Sequence, residues 1–192
     1  MKRFLLLFLS LLMVGMAYAQ DAKDDDDDAD SATLKYIGVN GCKKCHKTEK
    51  QGNQFGIWSE SAHAKAFETL KSADAVKFAK EKGIAKAPHE APECLKCHVT
   101  GYDQPAEMMS ARFSMEDGVQ CETCHGAGSM YKKKTIMKDR EQSIANGMTA
   151  ISVKDGSAEK QCRTCHNEES PTFKEFNFEE MWKKIAHPVP AE

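Results

Sequence analysis

Beyond its N-terminal stretch the chain has no long apolar run, and nowhere does it carry a period-2 apolar segment of useful length. The first absence excludes a further membrane span and a large core built from side chains alone; the second excludes a sheet-based architecture. No cysteine stands near the small residues at 17–19, which argues against a lipoprotein. Histidine is scarce, at seven of 192 residues. No cysteine at all lies outside four short pentapeptides.

Those pentapeptides each read Cys-x-x-Cys-His: Cys42, Cys45 and His46; Cys94, Cys97 and His98; Cys121, Cys124 and His125; Cys162, Cys165 and His166. Eight cysteines in an exported chain also permit four disulfides, and Cys-x-x-Cys pairs also occur as halves of zinc ribbons. Neither alternative requires a histidine directly after every second cysteine. Covalent attachment of c-type haem does: the two thiols bond the porphyrin vinyl groups and the histidine takes the iron from the proximal side. Four motifs imply four covalently bound haems c. The spacings between first cysteines, 52, 27 and 41 residues, are unequal, so the motifs form no solenoid and a compact cluster is expected.

At the N-terminus Lys2 and Arg3 precede the apolar residues 4–16, and Ala17-Tyr18-Ala19 follows as a cleavage site. This reads as a signal peptide over 1–19 removed after Ala19, with the periplasm, or the cell exterior, as destination. The apolar stretch is too short for the roughly 20 residues of a membrane span, so none is expected after cleavage. Residues 20–30 carry seven aspartates against Lys23, a net of −6, whereas residues 31–192 carry 24 basic and 22 acidic residues, a net of +2. The acidic run cannot bury a core, and residues 20–37 read as a disordered, solubilising tail and linker that also has the charge to steer a basic partner or shield the body. Residues 38–192 then form one tetrahaem domain. Little protein is available per haem, so the porphyrins are expected to supply much of the core. No nucleic-acid partner is expected.

The expected fold is mostly α with extensive irregular structure. Trp58, Ala62, Ala66 and Leu70 share helical spacing and predict a helix over 58–70. Ser72 is an N-cap and Gly83 a terminator for the next helix. Residues 87–92 read as extended because of their prolines, 100–118 as loop, 138–145 as a short helix and 146–159 as turn-rich. Asn177 with Glu180 resembles a capping box opening a last helix that Pro188 stops.

Four of the seven histidines are committed as proximal ligands, leaving His63, His89 and His187 as candidate distal ligands. Three cannot cap four irons. At least one iron takes another ligand, such as one of Met108, Met109, Met115, Met130, Met137, Met148 or Met181, or keeps an open face. Packing against porphyrin faces is the plainer role for those methionines. Spacing does not say which histidine caps which haem.

The motifs stand within longer matching segments: Trp58-Ser-Glu-Ser-Ala-His63-Ala, Glu93 to Tyr102 around the second motif, Gly118 to Gly128 around the third, and Gln161 to His166. In this ordered set the chain resembles the tetrahaem cytochrome c-554 family. The resemblance implies a compact multihaem fold, a periplasmic electron carrier in nitrogen metabolism, three bis-histidine haems and a five-coordinate one at the second motif. It implies His63 and His187 as distal ligands. The chain departs from the family downstream of the third motif, where Tyr131 and Lys132 to Lys134 stand in place of a further distal histidine; His89 is the remaining candidate for that duty. The family's hydroxylamine oxidoreductase partner does not carry over.

The leading functional expectation is electron transfer between a donor and an acceptor protein through closely packed haems, rather than catalysis. A second is reduction or binding of a small molecule, nitric oxide or hydroxylamine, at one five-coordinate haem. A third is an assembly in which copies align their haems. Lys132 to Lys134 read as a docking patch for an acidic partner, as a counter-charge to haem propionates, or as a solvated loop.

Overall fold

The structure, a computed structural model, describes residues 33–187. The expected signal peptide, residues 20–32 of the expected tail and linker, and Pro188 lie outside the described residues. Lys35 to Ile37, expected within the disordered linker, are instead tied to the body: Lys35 N donates to Ser129 Oγ, Tyr36 N to Met108 O and Ile37 N to Glu122 Oε1, and Ile37 is buried. Among those described there is no strand, only an isolated parallel bridge between Tyr36 and Met109. The described residues form ten α-helices, none longer than nine residues, in the order α1 Val39–His46, α2 Gln54–Glu60, α3 Ala66–Thr69, α4 Ala73–Glu81, α5 Pro92–His98, α6 Cys121–His125, α7 Lys134–Met137, α8 Arg140–Ala145, α9 Ser157–Cys162 and α10 Phe178–Ile185. The expected mostly α, largely irregular architecture is the one found. No described helix is long and apolar enough to cross a membrane.

The cap assignments hold. Ser72 Oγ accepts from Ala75 N at the start of α4, and Gly83 adopts φ +70° just beyond its end. Asn177 Oδ1 accepts from Glu180 N at the start of α10. Asp139 Oδ1 accepts from Gln142 N at the start of α8, within the stretch expected to be helical.

Two expectations fail, for identifiable reasons. Residues 58–70 do not form one helix: α2 ends at Glu60, residues 61–65 turn, and α3 is a single helical turn. Ser61 N and Oγ both bond the Trp58 carbonyl and close α2 early. Val119 then pairs with the turn, its N–H donating to His63 O at 3.0 Å while Trp58 Nε1 donates to its carbonyl at 2.8 Å. Tertiary hydrogen bonds have overridden propensity here. Residues 87–92 are not extended either: Pro88–Glu90 is a 3₁₀ turn, with Pro88 in the first-turn position where its missing N–H costs nothing. In the segment expected as turn-rich, α9 begins at Ser157.

The apolar core is small. Phe67 and Leu70 pack on Leu95 and Val99, with Cys94 and Tyr102 against them, joining α3 to α5. Each such burial stabilises the fold by roughly 1.5–3 kcal/mol. Much of the remaining cohesion is polar. It gathers around the third Cys-x-x-Cys-His helix.

Candidate haem-binding centre

Each pentapeptide lies on a helical turn: within α1, α5 and α6, and at the end of α9, where His166 N still bonds Cys162 O at 3.0 Å. A helical turn brings residues three and four apart onto one face, so both cysteines and the following histidine present their side chains together. No disulfide joins any two of the eight cysteines. Among the described residues no group of three or more His, Cys, Asp or Glu side chains converges on a metal-sized site.

The fold brings the motifs against one another in a fixed order. Cys42 of the first motif, whose Sγ donates to the Gly38 carbonyl, neighbours Cys121 of the third, and their interaction pushes the Cys42 thiol up and holds Cys121 down. Burial, then Cys162 of the fourth motif, push Cys124 of the third to about 12. Burial, then Cys165 of the fourth, push Cys97 of the second to about 11. The neighbours therefore run first, third, fourth, second.

Two pairs of histidines meet across that arrangement. His63 faces His166 with ring centroids 6.1 Å apart, and His125 faces His187 at 5.9 Å. Two imidazoles bonded to one ion through ring nitrogens at about 2 Å each hold their centres roughly 6 Å apart, and rotation about that axis is free. The interplanar angles of 55° and 41° are therefore no obstacle. Both separations fit a metal centre between the rings. Burial lowers all four imidazoles, and the neighbouring ring lowers His63 and His125 further; His125 falls to about 4. They are neutral at pH 7, the form in which imidazole binds iron. Phe176 stacks on His166 at 4.6 Å and fixes its plane.

The other histidines are held singly. His98 Nδ1–H donates to the Ala66 carbonyl at 2.8 Å, and His46 Nδ1 shares a 3.2 Å hydrogen bond with Gln54 Oε1. Each arrangement leaves Nε2 for a metal, with the second partner fixing ring orientation. His89 Nδ1 is buried with no hydrogen-bond partner among the described residues, and its ring meets no other histidine. Such an orphaned nitrogen is costly unless something binds it. Of the candidate methionines, Met109 lies against Gly101, while Met115 and Met181 are exposed.

Residues that the motif pattern did not single out hold the centre together. Glu122, 2% exposed, accepts from Ile37 N at 2.8 Å, Gly38 N at 2.8 Å and Gly128 N at 2.7 Å. Burial raises its carboxyl despite those donors, which pull the other way. Gln120 accepts from Val39 N and donates to Ser114 O, and Thr100 Oγ1 accepts from Gln120 N. Tyr131 is buried; its hydroxyl donates to the carbonyls of His125 and Gly126. The one advance signal for this lattice was the glycine frame. A Cβ on Gly118, at φ +72°, would lie 2.7 Å from His63 O, and one on Gly126, at φ +76°, 2.8 Å from Gly147 O.

A family model described as "Cytochrome c554 and c-prime" matches residues 41–126, which include the first three motifs. Cytochrome c-554 of Nitrosomonas europaea is 32% identical over 149 residues, covering 68% of this chain and 57% of that protein. The chain thus spans less than two thirds of that relative's length. No solved structure matches the chain.

Proposed function

Since this chain belongs to the cytochrome c-554 family, and so to proteins that bind haem c covalently, we propose that it is a periplasmic tetrahaem electron carrier. The observation that carries this reading is the facing of His63 with His166 and of His125 with His187 at a separation one iron spans. Haem supplies reversible one-electron chemistry when bound. Cys42 and Cys45, Cys94 and Cys97, Cys121 and Cys124, and Cys162 and Cys165 tether four of them. His46, His98, His125 and His166 are the proximal ligands, with His63 distal at the fourth motif and His187 distal at the third. His89 serves one of the remaining two.

The protein's own part is positional. Glu122 and Gln120 fix the third motif against Ile37 and Val39, and the Ala66 carbonyl orients His98. Contact in the order first, third, fourth, second supports an electron path along that order between a donor and an acceptor protein. Export rests on residues 1–19 acting as a signal peptide cleaved after Ala19.

The histidine count favours a second reading alongside the first: seven imidazoles leave one iron with a face free for a small ligand such as nitric oxide. Intact-mass measurement of the chain from its native envelope, followed by low-temperature electron paramagnetic resonance through a redox titration, tests both. Four added haem masses, with two or three low-spin centres and at least one high-spin centre, are expected. Absence of added haem mass would end the proposal, and four low-spin bis-histidine centres would end the open-face reading.

A further inference from the structure

His46 and His98 are oriented through hydrogen bonds at Nδ1, whereas His166 of the fourth motif is oriented by an aromatic ring. Phe176 lies flat against its imidazole, with centroids 4.6 Å apart and planes 14° from parallel. The chain turns back to make this contact. Asn167 Nδ2 donates to the Arg163 and Thr164 carbonyls, Ser170 N to Asn167 O and Phe173 N to Ser170 O, which returns the following segment to the motif. Phe176 then stands directly before Asn177, whose side chain caps α10.

The guanidinium of Arg163 lies over the same Phe176 ring, 5.5 Å from its centroid. Glu159 holds that guanidinium from one turn earlier, its Oε1 accepting from Nε at 2.8 Å and from Nη2 at 2.7 Å. Glu159, Arg163, Phe176 and His166 thus form one unbroken run of contacts. The carboxylate answers the guanidinium's charge, so what Arg163 brings to the ring is a flat, fixed group rather than a net charge.

An imidazole bonded to iron through one nitrogen turns freely about that bond, and the groups that touch the ring decide its plane. In a low-spin ferric centre with two imidazole ligands, that choice has an electronic consequence. Parallel ring planes split the iron orbitals of π symmetry most, whereas crossed planes bring them together in energy and raise the largest g value. His63 and His166 stand with their planes 55° apart, between these limits.

We propose that Phe176 is a positioning residue for the fourth haem: it holds the His166 plane at a set angle to His63, and Arg163, tied to Glu159, holds Phe176 in turn. The proposal rests on the reading of His63 and His166 as ligands of one iron. Through that angle Phe176 tunes the haem that lies between the third and second motifs in the order of contact, without touching the metal.

Electron paramagnetic resonance of the oxidised, haem-loaded protein tests this. His63→Ala identifies the fourth haem's signal as the low-spin one that it removes. Phe176→Leu should shift the largest g value of that signal and leave the other low-spin signals in place. Phe176→Tyr keeps a ring against the imidazole and should retain the parent value. Arg163→Gln, at an exposed position, leaves both rings present and should shift the same g value by less. An unmoved g value in Phe176→Leu, or an equal shift in Phe176→Tyr, would overturn the proposal. An unmoved value in Arg163→Gln would overturn the part given to Arg163. Should His63→Ala remove no low-spin signal, the shared iron itself fails and the proposal with it, so that variant alone separates the two failures.

Discussion

His63 and His166 stand with ring centroids 6.1 Å apart, brought together by a turn that Val119 pins from outside both of their own segments. If those rings share an iron, His63→Ala removes one axial ligand and converts one low-spin haem to high-spin. His187→Ala should do the same at a different haem, and the double variant should lose both low-spin signals. Electron paramagnetic resonance of the oxidised proteins counts them. A His63→Ala spectrum identical to the parent's would refute the pairing.

Gly118→Ala tests the mounting of His63 rather than the ring itself. The new methyl meets His63 O at 2.7 Å and sits on a backbone of positive φ. The expected cost is about 1–3 kcal/mol, read by chemical denaturation. A broadened or diminished low-spin signal from the haem that His63 serves should accompany it. Full stability together with an unaltered spectrum would show that the contact is easily relieved.

Glu122→Gln should be worse than its size suggests. One carboxylate oxygen accepts from Ile37 and Gly128 and the other from Gly38, whereas an amide offers one acceptor and turns N–H toward an N–H. A loss of about 1–3 kcal/mol is expected for the stranded donor. A melting temperature equal to the parent's would contradict this.

The same carboxyl gives a pH dependence. Burial raises Glu122 above its unfolded value of about 4.3. A raised carboxyl stabilises the fold fully below the unfolded value, and that contribution is lost as pH rises through the raised one. Stability followed from pH 4 upward should fall over that window in the parent relative to the glutamine variant. Parallel curves would count against it.

Glu169→Ala serves as the contrasting case. Lys96 and Glu169 form a 2.9 Å ion pair linking the second motif to the chain after the fourth, but both side chains are exposed. Exposed pairs are screened and pay entropy to hold their geometry. The melting temperature should not change measurably, and a clear drop would mean that this bridge clamps the two motifs.

What the sequence made legible was local. The haem motifs, the Ser72 and Asn177 caps and the short helix after Asp139 each depend on residues within one turn of one another. The helix expected over 58–70 failed because Val119, far away in sequence, offered the 61–65 turn better hydrogen bonds than helix continuation did. Glu122 was invisible for a related reason: it fills a variable slot inside a Cys-x-x-Cys-His motif, and its three partners come from other segments. The histidine shortage could be counted in advance. Which rings meet could not, because that is a property of the packed chain.

The neighbouring thiols of Cys42 and Cys121 also bear on how such a protein is made. In an oxidising compartment two thiols so close would be prone to mispair across motifs. A sulfur already spent in a thioether is immune to that error. Ligation to porphyrin is therefore expected to precede compaction, with the attachment machinery working on an open chain and the finished tertiary structure forming around cofactors already in place.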